Sequence, residues 1–189
     1  VDWLSPIVVA GGSQTLNLTA TGTSKDCVLV WPGVTTGDLF SEFFIAQNRQ
    51  RVGNDDATGM PGDGMLLWHV DAQLDAAGTD FLYDNSYTSH KLLRLMEADG
   101  LEEIETGNGS ADADDYYKAG DSFGPTTTPS SARYDGSDSG VKVYNFSSPG
   151  VTMSAVFEVG APPPGGAVAG VDYASHTSAV MVSSTSYSA

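Results

Sequence analysis

The sequence predicts a mostly β protein: an antiparallel β-sandwich of about seven to nine strands, with long loops and a flexible C-terminal tail. Three observations carry that expectation. Apolar residues repeat with period two, which sends alternate side chains to opposite faces of a strand. Clusters of turn-forming residues separate these runs, as at Gly11-Gly12, Pro32-Gly33, Asn54-Asp55-Asp56, Pro61-Gly62-Asp63-Gly64, Asp135-Gly136 and Pro149-Gly150. No stretch of about ten residues or more shows amphipathic helical spacing.

In chain order, residues 15–20 alternate, with Leu16, Leu18 and Ala20 on one side. Residues 27–31 form a short continuous apolar run, and residues 42–49 are aromatic-rich and then polar. Residues 64–71 read Gly-Met-Leu-Leu-Trp-His-Val-Asp, and residues 91–97 fit either a short helix or a strand. Residues 141–146 alternate, as do 151–159, which place Val151, Met153, Ala155, Phe157 and Val159 on one face. Three loops, at 71–89, 99–117 and 122–139, are longer than a compact domain usually carries. Such loops need tethers. Cys27 is the sole cysteine, so no internal disulfide can form, and metal ions are the expected substitute.

The domain is expected to span residues 1–160, with a linker and tail over 161–189. The linker Ala161-Pro162-Pro163-Pro164-Gly165-Gly166 is stiff in its proline part and loose in its glycine part. The remainder is rich in Ser, Thr, Val and Ala, and Asp172 is its one charge. Two readings stand for it: a linker toward a further domain, or a strand that pairs with an open sheet edge of its own or a neighbouring chain.

Charge narrows the function. The 189 residues carry 24 acidic against 8 basic side chains, a net charge of -16, with a 40% hydrophobic content that suffices for a core. That surface repels phosphate backbones and disfavours anionic membranes, which excludes nucleic acid as a partner. Hard cations, calcium above all, suit it, because carboxylates are their ligands. No apolar run approaches the roughly eighteen residues of a membrane span. No basic-then-apolar leader opens the chain, so it reads as a mature product or an excised fragment.

Most catalytic constellations are absent. His69, His90 and His176 stand outside any H-E-x-x-H, and there is no G-x-S-x-G, no phosphate-cradling loop and no C-x-x-C. The acidic loop is the best local site. Asp112, Asp114 and Asp115 lie in Gly109-Ser110-Ala111-Asp112-Ala113-Asp114-Asp115, Asp121 follows, and Asp99 precedes Gly100 upstream. Calcium takes about six to eight oxygens on adaptable backbone, which such a loop supplies; the bland alternative is a solvated acidic loop. The EF-hand pattern is not met, since its central Gly and terminal Glu are missing. His69 and Asp71 share a strand face and form a second candidate metal site, against a half-buried His held by a neighbouring carboxylate or carbonyl. His90 joins His69 if their strands are neighbours. Asn48, Arg49 and Arg51 contact either a substrate or an absent catalytic core, or else make salt bridges that anchor an acidic loop.

A set of spaced blocks adds a resemblance. Phe44-Ile45-Ala46-Gln47-Asn48-Arg49-Gln50-Arg51-Val52-Gly53 is followed by Met60-Pro61-Gly62-Asp63-Gly64-Met65-Leu66-Leu67-Trp68-His69-Val70-Asp71, by His90-Lys91-Leu92-Leu93-Arg94-Leu95-Met96-Glu97-Ala98-Asp99-Gly100, by Gly120-Asp121-Ser122-Phe123 and by the closing Ser139-Gly140-Val141-Lys142-Val143-Tyr144-Asn145-Phe146-Ser147. Their order and spacing resemble the segment after the catalytic core in the immune inhibitor A family of secreted zinc metalloproteases. The likeness spans residues 3–159. It departs at Ala46, where that family commonly has an acidic residue, and at Glu97, where it commonly has Gln. The resemblance implies an extracellular fragment whose zinc-binding H-E-x-x-H helix and base lie upstream, so that zinc belongs to the missing core and this chain does not hydrolyse peptides alone. It implies the parent protease's catalytic core as partner; the tail adds protein substrate or neighbouring copies as further candidate partners. The alternative from another class is an extracellular calcium-stabilised β-module for binding, or for surface or filament assembly.

Overall fold

A computed structural model describes residues 5–37, 39–56, 59–86 and 89–160. The linker and tail expected over 161–189 lie outside the described residues. The strands are β1 (Ser5–Val9), β2 (Gly12–Thr19), β3 (Asp26–Val30), β4 (Glu42–Arg49), β5 (Gly64–Asp71), β6 (Leu93–Leu95), β7 (Ser122–Phe123), β8 (Val141–Tyr144) and β9 (Thr152–Val159). They form a five-stranded sheet in the order β1-β3-β4-β5-β6 and a four-stranded sheet in the order β2-β9-β8-β7. This is the mostly β, two-sheet architecture that the alternation predicts.

One pairing departs from a wholly antiparallel sandwich. β1 runs parallel to β3, in register from Ser5↔Asp26 to Val9↔Val30. The cause is topological: parallel neighbours need a crossover, and here β2 is that crossover, because it leaves for the other sheet and pairs with β9. Gly12, at φ 75°, sits at the corner where the chain changes sheets. The run at 91–97 resolves as a strand, β6. The one α-helix among the described residues, α1 (Glu103–Thr106), has four residues.

The core lies between the sheets and follows the alternation. On β9, Met153, Ala155 and Phe157 are fully buried and Val159 nearly so, facing Leu18 of β2 and Val141 and Val143 of β8. The other sheet contributes Val28, Val30, Phe44, Ala46, Met65 and Leu67. Burying each large apolar side chain contributes about 1.5–3 kcal/mol. β5 lies between β4 and β6 and is buried on both faces, since Leu66 joins a smaller cluster with Leu95 and Tyr116 outside the main core. Cys27 is a buried free thiol, as expected for a core residue.

The blocks that carry the resemblance occupy pinned points of this frame. Arg49 pairs with Asp55 at 3.0 Å and Arg51 with Asp63 at 2.6 Å. A Cβ on Gly53 would lie 2.3 Å from the Gly22 carbonyl oxygen, so the turn after β4 packs backbone on backbone against the β2–β3 connection. Asn48 is fully buried and joins the sheets: its Nδ2 donates to the carbonyls of Leu18 and Gly150, both at 3.0 Å, and of Val151 at 3.3 Å. Asn48, Arg49 and Arg51 all have partners within the chain, and the Arg51 side chain, paired with Asp63, stays 52% exposed. Ala46 is fully buried, so the acidic residue common in the resembling family would place a carboxyl in the core there.

Candidate functional site

The acidic site forms where the chain leaves β6 and returns through residues 111–117. Leu95 and Met96 complete the sheet edge, and the Ala98 N–H donates to the Asp115 carbonyl at 3.1 Å, drawing the two segments together. Glu97 and Asp115 are buried, at 0% and 3% exposure, which for carboxylates demands compensation. Glu97 accepts from the Glu103 N–H at 2.7 Å and the Ile104 N–H at 3.0 Å, satisfying the first-turn donors of α1. Asp115 accepts from the Asp112 N–H at 2.7 Å.

Asp99 is the junction of the site. Oxygens of Glu97, Asp99 and Asp115 lie within 4.8 Å of one another, and so do oxygens of Asp99, Glu103 and Asp112. Of the five aspartates expected from the sequence, the structure thus brings together Asp99, Asp112 and Asp115. Asp114 turns outward to the Lys118 ammonium at 2.9 Å, and Asp121 accepts from the Lys118 N–H at 2.7 Å. Glu97 and Glu103 are the ligand candidates that counting aspartates missed. The sequence signals for Glu97 were its place beside Ala98-Asp99-Gly100 and its standing where the resembling family commonly has Gln.

Burial pushes the carboxyls of Glu97 and Asp115 up from their ordinary range, and neighbouring carboxylates add to it: Asp115 and Asp99 at Glu97, Asp112, Asp99 and Glu103 at Asp115. Backbone N–H donors oppose the rise. Without a cation, burial and mutual repulsion shift Glu97 and Asp115 toward their protonated forms relative to carboxyls in water. The consequence for stability has a definite sign. A carboxyl raised in the folded state favours folding fully below its unfolded value of about 4, and that contribution is lost as pH rises through the folded value. In chelator, wild type should therefore lose more melting temperature between about pH 4.5 and 7 than Glu97→Gln, which cannot titrate there. Equal pH slopes for the two proteins would remove Glu97 from this account. Asp63 and Glu158, held low by Arg51 and Lys142, lose their contribution only at lower pH, outside this window and equally in both proteins.

α1 is anchored over this site from below. Lys91, buried, reaches Glu105 Oε2 at 2.5 Å, Glu105 Oε1 accepts from the Leu95 N–H at 3.0 Å, and Arg94 pairs with Glu102. These contacts fix the direction of the first-turn N–H groups that Glu97 receives.

The second candidate pair is arranged differently from a metal site. His69 Nε2 lies 2.8 Å from Glu42 Oε1, and His90 Nε2 lies 2.7 Å from Asp71 Oδ2, so His69 and Asp71 each take another partner. Neither belongs to a three-ligand group among the described residues. Tyr134 stands between the two imidazoles, 4.2 Å from His69 and 3.9 Å from His90 by ring centroids, and Tyr83 continues the stack on the far side of His90. The Tyr134 N–H donates to the same Glu42 oxygen at 2.9 Å, and burial pushes its phenol up to about 12. This column ties the 71–89 and 122–139 loops to the sheet. It is a tether of rings and carboxylates, a kind not expected from the sequence.

No protein-family model, curated protein or solved structure matches this chain. Among the described residues no helix is long and apolar enough to cross a membrane.

Proposed function

We propose that this chain is a non-catalytic β-sandwich module of a secreted zinc metalloprotease of the immune inhibitor A kind, that it packs on the catalytic core of its parent, and that calcium at Asp99 stabilises it. The observation that carries the calcium part is the pair of buried carboxylates, Glu97 and Asp115, sharing one site with Asp99. What supports the protease part is the order of the blocks, together with what their residues do. Arg49 with Asp55, Arg51 with Asp63, and Gly53 against Gly22 hold the fold, as shared residues of an accessory module should.

The reading expects an H-E-x-x-H motif in the parent sequence upstream of Val1. It also expects the purified chain to leave casein and gelatin intact with or without added zinc, and to bind no stoichiometric zinc, because zinc hydrolysis needs a ligand set and a base outside these residues. Zinc-dependent cleavage by a clean preparation would show a catalytic site within the chain. An upstream sequence without the motif would favour an extracellular assembly module. For that reading the eight-residue β2, at the edge of its sheet, is the natural docking strand.

A further inference from the structure

Beside the His90 end of the aromatic column the surface opens into a cleft of about 520 Å³, lined by residues 80–86 with His90 and Leu92. Its walls combine apolar and acidic groups. Phe81 and Leu82 are 44% and 51% exposed, which leaves two large side chains uncovered side by side. Asp80 and Asp84 are exposed beside them, and among the described residues no Lys or Arg lines the cleft. The basic residues that follow it in sequence, Lys91 and Arg94, are engaged with Glu105 and Glu102.

The walls are held in place. The Leu82 N–H donates to the Gln73 carbonyl at 2.8 Å and the Leu92 N–H to the Asp84 carbonyl at 3.0 Å. Tyr83 stacks on His90 at 3.4 Å, and Asp71 holds His90 in turn. A partner would not have to order this loop, so less of the binding free energy is lost to conformational entropy. Hydrogen bonds from the Ser86 hydroxyl and N–H hold the Asp84 carboxyl below its usual range, which keeps its charge across neutral pH.

We propose that this cleft is a docking site for a peptide segment that alternates basic and apolar residues. The basic side chains answer Asp80 and Asp84 within a chain of net charge -16, and the apolar ones cover Phe81 and Leu82. Charge complementarity excludes anionic partners, and the exposed pair explains why charge alone does not suffice. The inference stands whether or not the chain belongs to a protease, since binding is measured on the chain itself.

The test is fluorescence anisotropy of the 189-residue chain with a labelled hexapeptide, Arg-Leu-Lys-Phe-Arg-Leu, at low and at physiological salt. Matched peptides replace its basic residues with Glu or its apolar residues with Ser. Asp80→Asn combined with Asp84→Asn should weaken binding about fivefold or more at low salt. Asn keeps an acceptor for the Phe81 and Ser86 N–H groups that now bond those carboxylates, so the variant folds. Phe81→Ala should weaken binding about threefold. Asp56→Asn combined with Asp138→Asn, two exposed aspartates outside the lining, should change it less than about twofold. Equal losses in the two double variants would mean attraction to the whole charged surface, and the proposal fails. It fails equally if the Ser peptide binds as well as the apolar one, or if no peptide binds.

Discussion

Asn48→Ala should lower the melting temperature by about 6–12 °C. The side chain is fully buried at the end of β4, and its one amide serves carbonyls at Leu18, Gly150 and Val151 of the opposite sheet. Its Oδ1 also accepts from Gln50 Nε2 at 2.9 Å, so no polar atom of the amide is idle. Truncation leaves a small cavity and removes a donor from three carbonyls, the Leu18 one buried and the Val151 one still holding the Ala20 N–H, which together cost about 3 kcal/mol. For a domain of this size each kcal/mol is roughly 2–4 °C. Asn48→Asp should be worse at pH 7. It is nearly the same size, but it aims a carboxylate at three carbonyl oxygens, and a buried unpaired charge costs more than about 4 kcal/mol. Gln47→Ala, the half-buried neighbour, serves as the control. A shift below about 2 °C for Asn48→Ala would mean that apolar packing alone holds the sheets together.

Asn48 also shows what the sequence can and cannot say. The strands were legible because period-two alternation is local: Met153, Ala155, Phe157 and Val159 declare their face without reference to anything else. Partner choice is not local. Nothing near Val8 or Leu29 announces that β1 and β3 run parallel, because the reason is the excursion of β2 to the other sheet. The same division runs through the sites. Asp112, Asp114 and Asp115 are close in sequence, yet the turn sends Asp114 to Lys118 and leaves Asp115 beneath. Glu97 enters from β6 across a sheet edge, and Glu42 reaches the Tyr134 backbone over 92 residues. His69 and His90 were visible as residues, while the ring between them was not, since only the packed loops bring Tyr134 there. The blocks that resembled a protease segment proved to be rich in residues that fix backbone approach and ion pairs. Short blocks spaced along a chain can therefore be a signature of folding constraints as much as of chemistry.

Calcium should raise the melting temperature of the wild-type chain by roughly 5–11 °C in millimolar calcium against chelator. The free energy behind that figure is about 2.7 kcal/mol at a free ion level one hundred times the dissociation constant. The site that should respond is centred on Asp99, whose oxygens lie within 4.8 Å of Glu97 and Asp115 on one side and of Glu103 and Asp112 on the other. Each ionised carboxylate offers about four lone-pair positions, and the backbone N–H bonds at Glu97 and Asp115 use only some of them. Protons and calcium then compete for the same oxygens. Acidification from pH 7 toward about 5 should shrink the calcium shift while raising the stability that Glu97 and Asp115 contribute in chelator. Asp99→Ala should abolish the shift, because it removes the carboxylate common to both groups. Asp114→Ala combined with Asp121→Ala should preserve it, since those side chains serve Lys118. Identical melting in calcium and chelator would leave the site as a proton-holding cluster. A shift that survives Asp99→Ala but disappears in the Asp114, Asp121 double variant would move the ion to the outer face of the loop, and the buried pair would need another explanation.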